Sequence, residues 1–320
     1  MTKIDKLGAG RGVIAVTGGN GFIGSHVVRA LLEKGYKVHT FGREPVLGTT
    51  FHEWDATKEC SSYGIRFQAI VHCAAAATDW GVDDDIAKVN MQGTKSALAI
   101  DPQSQFIHIS TASIYASQGD SYDIEEIEAE GVRGTFLNVY SESKMIAENF
   151  VRWDRRPAGS FILRPHAVYG PGDTTLLPRV EKALRGSILP LPNGGKSLVS
   201  LTRVESLVAV IIDLIEYKGL NAHGIFNVAD GKPVVLADAL KEILSKRGKK
   251  VKVMGIPSAF AWKLGELLEY VAKAYNLGRP PLTRYLVSQL GYAETLDVTA
   301  LEDFLGRKMP VSDFSDADKW

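Results

Sequence analysis

Thr17-Gly18-Gly19-Asn20-Gly21-Phe22-Ile23-Gly24 separates a short apolar run over residues 13–17 from a segment in which apolar residues recur at helical spacing up to Gly35. Glycines at positions 18, 21 and 24 allow a tight turn and let the backbone approach a pyrophosphate, which the free N–H groups of a helix N-terminus then bind. A plain tight turn would also explain glycines, but the place between a strand and a helix favours a dinucleotide site. The sequence therefore predicts cofactor binding by Gly18, Gly21, Phe22, Ile23 and Gly24.

The same alternation of apolar run, turn and helical spacing continues along the first half of the chain, which is typical of an α/β fold. The predicted strands, which are almost continuously apolar as expected for burial on both faces, cover residues 13–17, 37–41, 69–73, 105–110 and 160–163. Predicted helices between them include residues 84–100 and 140–153. We therefore expect a Rossmann-type, doubly wound parallel sheet covered by helices.

Proline becomes frequent after Gly170, which indicates a change of architecture. A predicted helix over 204–217 and a strand over 224–228 return to the first domain, whereas a helix over 259–275 belongs to the remainder. We predict a dinucleotide-binding domain over residues 1–170 and 200–228, and a smaller C-terminal substrate-binding cap over residues 171–199 and 229–320.

The composition is that of an ordinary globular protein, with 320 residues, 37 basic and 37 acidic side chains and a net charge of zero. This balance gives no global field that would attract nucleic acid or an anionic membrane. No apolar run reaches the roughly 18 residues of a membrane span, and residues 1–12 lack the apolar core of a secretory signal. Cys60 and Cys73 are too few for a disulfide framework, and no histidine pair has metal-ligand spacing. We expect a cytoplasmic protein without a membrane span or a metal site.

Tyr140 and Lys144 lie four residues apart in a predicted helix, so they share one helix face. The Lys144 ammonium is expected to lower the pKa of the Tyr140 phenol from about 10, so that the phenol can transfer a proton at neutral pH. Taken alone, this spacing is also explained by a pair of residues on the exposed face of an amphipathic helix, with no catalytic role. The glycine-rich turn earlier in the chain favours the catalytic interpretation.

The GxxGxxG spacing and the later YxxxK pair together resemble the short-chain dehydrogenase/reductase superfamily, in its extended branch. Further matches lie at residues 54–57, 72–75, 90–94 and 164–171, and the resemblance runs from about residue 13 to residue 310. It implies an NAD(P)-dependent enzyme. The cofactor contacts that it implies are Asp55, Ala74, Ala75, Asn90, Tyr140, Lys144, Pro165 and Val168. For Asp55 a helix N-cap is the alternative, and for His166 both a substrate contact and a structural hydrogen bond are open.

The resembling enzymes place a serine or threonine after the strand that precedes the YxxxK helix, where its hydroxyl polarises the substrate oxygen. The family pattern puts this residue four positions before the aromatic residue Tyr115, which indicates Thr111. Ser110 and Ser113 are the competing candidates, with a strand-end hydrogen bond and a turn contact as their other uses. We predict Tyr140, Lys144 and Thr111 as the catalytic residues, with Lys144 also binding the nicotinamide ribose.

The end of the second predicted strand bears on the choice of cofactor. NAD-preferring enzymes of this superfamily have an acidic residue there, whereas this chain has Gly42 followed by Arg43. A guanidinium suits the 2′-phosphate of NADP. The alternative is that Arg43 is a solvated loop residue and that NAD is bound. We predict NADP as the cofactor and Arg43 as one of its contacts.

Several features indicate the class of substrate. No acidic pair follows Thr111, which disfavours sugar dehydration, and Val199 stands where nucleotide-sugar enzymes carry an arginine for the diphosphate. Residues 172–179, 200–204 and 280–285 resemble the 3β-hydroxysteroid dehydrogenase-like group, which includes bacterial 2-alkyl-3-oxoalkanoate reductases. The resemblance implies NADP(H)-dependent interconversion of a secondary alcohol and a ketone on a largely apolar small molecule. Apolar and aromatic residues within 260–275 fit a hydrophobic cap, or the core packing of their own helix.

Two alternatives stay open from the sequence. Arg203 in a different geometry would supply a cation for a diphosphate, which keeps a nucleotide-sugar epimerase or 4-ketoreductase as an alternative. A non-catalytic NADP-binding regulator would share the fold, but such proteins tend to lose the active-site tyrosine and lysine, and both are present here. We expect the protein to be a homodimer.

Overall fold

The computed structural model describes residues 11–59, 63–131, 136–219 and 221–320, so Cys60 and most of the N-terminal stretch lie outside the described residues. Within these ranges the strands are β1 (Val13–Thr17), β2 (Lys37–Gly42), β3 (Thr50–Glu53), β4 (Ala69–His72), β5 (Gln105–Ile109), β6 (Ser121–Ile124), β7 (Ser160–Pro165), β8 (Val168–Tyr169), β9 (Ile188–Pro192), β10 (Leu198–Val199), β11 (Thr202–Arg203), β12 (His223–Val228), β13 (Val234–Val235), β14 (Lys252–Ile256) and β15 (Glu294–Leu296). The α-helices are α1 (Phe22–Glu33), α2 (Asp83–Ile100), α3 (Val139–Trp153), α4 (Leu176–Ala183), α5 (Val204–Glu216), α6 (Leu236–Lys246), α7 (Ser258–Ala274), α8 (Arg284–Gly291) and α9 (Thr299–Leu305).

Seven strands of the described chain form a large parallel sheet in the order β12-β7-β5-β4-β1-β2-β3. Its strands β1, β2, β4, β5 and β7 begin at the residues predicted from the sequence. The central strands β4, β5 and β7 are buried along their whole length, which explains their continuous apolar runs. The predicted Rossmann-type α/β fold is confirmed.

Helices cover both faces of the large sheet. On one face α1 packs against α5, and their apolar residues share a core with β1 and β7. On the other face α2 packs against α3 over a second core that includes Phe41, Ile70 and Phe106. The strand order reverses between β1 and β4, so their carboxyl ends open a crevice at the place where ligands bind in such sheets.

A smaller assembly stands beyond this edge. Four described strands form a second sheet, which we call the cap sheet, in the order β13-β10-β15-β6. The helices α4 and α6 share an apolar core with β9 and β10, and α7 packs on α8. The cap sheet includes β6, which lies within the first of the two ranges predicted for the dinucleotide-binding domain.

Two segments within the residues predicted for the cap, α9 and α7, pack differently from what the sequence led us to expect. The helix α9 packs on β12, and Leu301 and Met309 belong to the core of the large sheet, so the C-terminal segment is not wholly part of a cap. In α7 the side chains of Phe260, Leu267 and Tyr270 are exposed rather than packed in a core. Among the described residues, none of the helices has the length and apolar character needed to cross a bilayer.

Candidate active site

The glycine-rich turn between β1 and α1 has a geometry that side chains would block. Gly18 has a φ of +70°, and a Cβ at this position would lie 2.8 Å from the Cα atom of Ala74, which follows β4. A Cβ at Gly24 would lie 2.1 Å from the carbonyl oxygen of Gly18. Both glycines are therefore required by the close approach of the turn to its neighbours.

The N-terminus of α1 faces the crevice without a competing anion. Gly21 is its N-cap, no side chain caps the helix, and the first turn contains no acidic residue. The first N–H groups of the helix, at Phe22, Ile23 and Gly24, are thus left for an external acceptor. This arrangement fits the pyrophosphate of a dinucleotide, because the helix dipole adds positive potential at the same point.

The end of β2 has room and a cation where the adenosine end of a cofactor is expected. A Cβ added at Gly42 would meet no atom within 4 Å, and Arg43 is exposed. Asp55 is also exposed, and its carboxylate accepts hydrogen bonds from the backbone N–H and the hydroxyl of Thr57, at 2.9 and 2.8 Å. These bonds hold the pKa of Asp55 below its ordinary value. Asp55 caps a turn here, which differs from the helix N-cap considered from the sequence.

Hydrogen bonds with Thr17 and Asn90 hold the loop that follows β4 in place. The N–H of Ala74 donates to the Thr17 hydroxyl at 3.3 Å, and the next residue, Ala75, is half-buried. Asn90 is buried; its carbonyl accepts from the Ala76 N–H at 2.8 Å and its amide donates to the Ser143 hydroxyl at 2.9 Å. Asn90 therefore links this loop to α3 and acts on the crevice through the loop.

Tyr140 stands in the first turn of α3, which Asn138 caps by accepting a hydrogen bond from the Ser141 N–H at 2.8 Å. Its half-buried phenol interacts with Thr111 and with the charge of Arg179. Burial raises the pKa of Tyr140, and the hydrogen bond of Thr111 and the Arg179 guanidinium only partly oppose this effect. The structure thus differs from the predicted lowering of the phenol pKa.

The position of Lys144 explains that difference. Its buried ammonium donates to the carbonyl of Ile109 at 2.5 Å and lies 3.4 Å from His108 Nε2. Burial lowers the pKa of Lys144 to about 8, although the charge of Glu148 acts in the opposite direction. Lys144 is held toward β5 beneath the helix, and the phenol pKa responds to Thr111 and Arg179 instead.

The three candidate hydroxyls after β5 have different partners. Ser110 donates to the buried Glu148 carboxylate at 2.5 Å, which places it away from the crevice. Thr111 donates to the Ser113 hydroxyl at 3.0 Å and accepts from the Ser113 N–H at 3.1 Å. Of the three, Thr111 is the one that interacts with Tyr140, which supports the choice made from the sequence.

The segment after β7 closes the other side of the crevice. Pro165 is buried at the end of the strand and Val168 is half-buried in β8. His166 Nδ1 makes a hydrogen bond with the Ser200 carbonyl, and its Nε2 lies 3.2 Å from the Glu294 carboxylate. Burial lowers the pKa of His166, but Glu294 and the Ser200 carbonyl outweigh it, so the net pKa is raised. His166 has the structural role that was one of its two interpretations.

Sequence reasoning missed a group of residues that the cap brings to the same place. Tyr285 in α8 interacts with Ser113, and burial together with the charges of Tyr140 and Glu294 raises the pKa of Tyr285. Asp79, Arg179 and Arg279 form an ion cluster beside these hydroxyls. Arg179 and Tyr285 lie within the segments that carried the family resemblance, but only the tertiary fold shows that they face Tyr140.

Comparison with known proteins agrees with this architecture. The family described as NAD dependent epimerase/dehydratase matches residues 14–229, more than half of the chain. A 2-alkyl-3-oxoalkanoate reductase of Stenotrophomonas maltophilia (strain K279a) is 27% identical over 296 residues, which cover 87% of this chain and 88% of that protein. A 3-beta-hydroxysteroid dehydrogenase of Mycolicibacterium neoaurum is 24% identical over 302 residues, which cover 87% and 82%.

Solved structures show the same fold. The UDP-glucuronic acid 4-epimerase from Bacillus cereus in complex with NAD superimposes with a TM-score of 0.70 at 19% identity, covering 96% of this chain and 94% of that chain. Identity at this level shows the fold alone. Together with the family match and the reductase and dehydrogenase relatives, it confirms the resemblance drawn from the sequence. The chain belongs to the NAD dependent epimerase/dehydratase family and is an NAD(P)-dependent oxidoreductase.

Proposed function

We propose that the protein interconverts a secondary alcohol and a ketone on a largely apolar small molecule, with NADP(H) as the hydride carrier. The observation that carries this proposal is the meeting of Tyr140 and Thr111 at the carboxyl edge of the sheet, beside the glycine-rich turn. The nicotinamide of a bound cofactor supplies or accepts the hydride. In the reductive direction Tyr140 donates its proton to the carbonyl oxygen while Thr111 hydrogen-bonds the same oxygen.

The raised pKa of Tyr140 suits this role. It keeps the phenol protonated at neutral pH, which is the form that donates a proton to a developing alkoxide. Binding of the ribose on the nicotinamide side of the cofactor by Lys144 stays a prediction from the family resemblance, because in the structure its buried ammonium donates to the Ile109 carbonyl at 2.5 Å. Oxidation of the alcohol uses the same groups in reverse, with the proton returning to Tyr140.

The substrate class rests on the relatives and on the absence of a diphosphate site at the expected place. The relatives named above are an oxoalkanoate reductase and a hydroxysteroid dehydrogenase, and both names describe a ketone or alcohol on an apolar body. Val199 is buried in β10 and offers no cation. Arg203 does not compensate, because its guanidinium is bonded to Asp316 at 2.8 Å and to Glu205 at 3.1 Å. These observations weigh against the nucleotide-sugar epimerase or 4-ketoreductase alternative.

A panel of substrates tests the function. A series of 3-hydroxy acids of increasing chain length and a set of 3β-hydroxysteroids should be oxidised with NADP⁺, beside UDP- and GDP-sugars, with NADPH absorbance and product analysis as readouts. In the chain-length series the free energy of substrate binding should become more favourable by about 0.8 kcal/mol for each methylene that becomes fully buried.

The variant Tyr140→Phe should lose about 10²- to 10⁴-fold in turnover and keep its affinity for the cofactor. Turnover confined to the nucleotide sugars would reject the proposal, as would a Tyr140→Phe variant with normal turnover.

The preference for NADP is tested at the end of β2. Arg43→Ala should weaken NADPH binding about tenfold or more, because a charge-assisted contact to the 2′-phosphate is lost, and should leave NADH binding nearly unchanged. Gly42→Asp should in addition favour NADH, since the space at Gly42 accepts a side chain and a carboxylate repels the phosphate. Titration of each variant with both cofactors measures this. Lys37→Ala, at the exposed amino end of the same strand, is the control, and tighter binding of NADH by the wild type would contradict the preference.

Three further expectations stay predictions on their sequence grounds: a homodimer, a cytoplasmic location, and the exact division into dinucleotide-binding domain and cap. The alternative of a non-catalytic regulator loses its support, because the relatives named above are enzymes and Tyr140 meets Thr111 in the fold.

A further inference from the structure

The ion cluster beside Tyr140 joins the loop after β4 to the cap. The carboxylate of Asp79 lies 2.7 Å from a guanidinium nitrogen of Arg279, which precedes α8, and 3.2 Å from one of Arg179 in α4. Thr283 donates its hydroxyl to the same carboxylate at 3.2 Å. One carboxylate therefore serves two guanidinium groups, and the cluster keeps one unbalanced positive charge.

The acid of the cluster is buried, whereas its two arginines are partly exposed to solvent. The side chain of Asp79 is 1% exposed, whereas those of Arg179 and Arg279 are 30% and 34% exposed. In the described part of the chain, each arginine bonds Asp79 through a single nitrogen, so most of its five N–H donors are left for other acceptors. Donors in a planar fork match a carboxylate in geometry.

The cluster also shares its surroundings with the reacting hydroxyls. The charge of Arg179 acts on Tyr140, and that of Asp79 acts on Tyr285. Burial lowers the pKa of Arg279; Asp79 opposes this shift and the neighbouring Arg179 adds to it. Two half-buried cations side by side are an unfavourable arrangement that a second anion would relieve.

We propose that Arg179 and Arg279 bind a carboxylate carried by the substrate, close to the alcohol or ketone carbon on which Tyr140 acts. This inference rests on the proposed function and narrows it, since it selects hydroxy and oxo acids over neutral sterols. A singly charged carboxylate balances the cluster, whereas a diphosphate would exceed its charge. The subsite positions the substrate and takes no part in the transfer of hydride or proton.

The test compares an acid with its neutral ester, because the ester keeps the chain and the reacting alcohol. The wild type is assayed with NADP⁺ on 3-hydroxydodecanoate and on its methyl ester, and the ratio of the two kcat/KM values is taken. In Arg279→Gln and in Arg179→Gln this ratio should fall about 10- to 100-fold, the effect of losing a charged hydrogen-bond partner. Arg185→Gln, an exposed arginine shortly after α4, should keep the wild-type ratio. A general loosening of the cap would lower kcat/KM for the acid and for the ester alike, so it would leave their ratio unchanged.

A binding measurement makes the result independent of turnover. Titration calorimetry of the NADP⁺-bound wild type with dodecanoate and with dodecanol should show tighter binding of the acid, and Arg279→Gln should remove the difference. Arg279→Lys, which retains the charge, should keep part of it and guards against a glutamine variant that fails to fold. Equal ratios in all variants together with equal binding of acid and alcohol would overturn the subsite and leave the proposed function standing. A wild type that oxidises 3β-hydroxysteroids but neither of these two compounds would overturn the subsite alone, and one that oxidises none of them would overturn both.

Discussion

Tyr285 adds a third hydroxyl to the pair formed by Tyr140 and Thr111. It reaches the pair through Ser113, which accepts a hydrogen bond from Thr111 at 3.0 Å and another from Ser141 at 3.1 Å. Its pKa is raised by burial and by Tyr140, so the phenol stays protonated and acts as a donor at neutral pH. A donor from the cap at this point can align the substrate oxygen with the phenol of Tyr140.

Tyr285→Phe should therefore lower kcat/KM about tenfold, the usual effect of losing one neutral hydrogen bond, and leave the affinity for NADPH unchanged. The loss should be clearly smaller than that of Tyr140→Phe, which removes the proton donor itself. Steady-state kinetics and cofactor titration measure both effects. Tyr270→Phe, an exposed tyrosine on α7, serves as the control. An unchanged kcat/KM in Tyr285→Phe would show that its hydroxyl only packs against Ser113.

Single residues of the site were predictable from the sequence where local spacing determines the chemistry. Tyr140 was predicted from its helical spacing to Lys144 together with the glycine-rich turn, and Thr111 from the family resemblance. Tyr285 and Arg279 come from a distant part of the chain, and no local pattern indicates which element of the cap meets β5. The orientation of Lys144 could not be predicted from the sequence either, because its ammonium donates to the carbonyl of Ile109, which belongs to a different element, β5.

The helix that carries Tyr140 and Lys144 is attached to the sheet by a buried ion pair. Arg164 in β7 donates to the Glu148 carboxylate of α3 through two nitrogens, at 2.6 and 3.0 Å, and both side chains are buried. The same carboxylate accepts from Ser110, and Arg164 also donates to the Tyr115 hydroxyl at 2.7 Å. One bidentate pair thus fixes α3 relative to β5 and β7.

Removing one partner should leave an uncompensated buried charge. Arg164→Met should lower the free energy of unfolding by about 3–5 kcal/mol, whereas the double variant Arg164→Met/Glu148→Met should recover a large part of this loss. Urea unfolding monitored by circular dichroism measures the three proteins, with Arg155→Met at an exposed position as the control. If the double variant is no more stable than Arg164→Met alone, the loss comes from packing and not from the unpaired charge.

At the level of elements, the sequence predicted those strands whose burial is complete. The apolar runs of β4, β5 and β7 exist because helices cover both of their faces. The strands of the cap sheet were missed for other reasons: β6 contains Tyr122 and Asp123 on an exposed stretch, and β15, although buried, is only three residues long. Their pairing is decided by the fold of the cap, which local patterning does not specify.

At the scale of the whole molecule, polar contacts join the cap to the large sheet beside an apolar cluster that includes Ile124 and Leu296 of the cap sheet and Ala229 after β12. Asn227 in β12 donates its amide to the carbonyl of Ile124 at 2.8 Å and to that of Asp297 at 3.2 Å. The Asp79 cluster forms a second junction, and the ion pair between His166 and Glu294 forms a third. Because Asp79 and Glu294 both act on the pKa of Tyr285, the second and third junctions lie close to the candidate site, and the stability of the cap is expected to affect the geometry of that site.

The His166 junction gives the molecule a predictable dependence on pH. The net pKa of His166 is raised above 6.5, so the folded state binds its proton more tightly than the unfolded chain does. The stabilisation is therefore complete below pH 6.5 and is lost as the pH rises through the folded-state pKa. The stability advantage of the wild type over His166→Gln should be larger at pH 6 than at pH 9, as measured by urea unfolding at both values. In Glu294→Gln the carboxylate that raises the pKa of His166 is gone while burial still lowers it, so substituting His166 in that background should no longer give a larger difference at pH 6 than at pH 9. A wild-type advantage that does not change between pH 6 and pH 9 would show that the pair is held by packing and that His166 stays neutral.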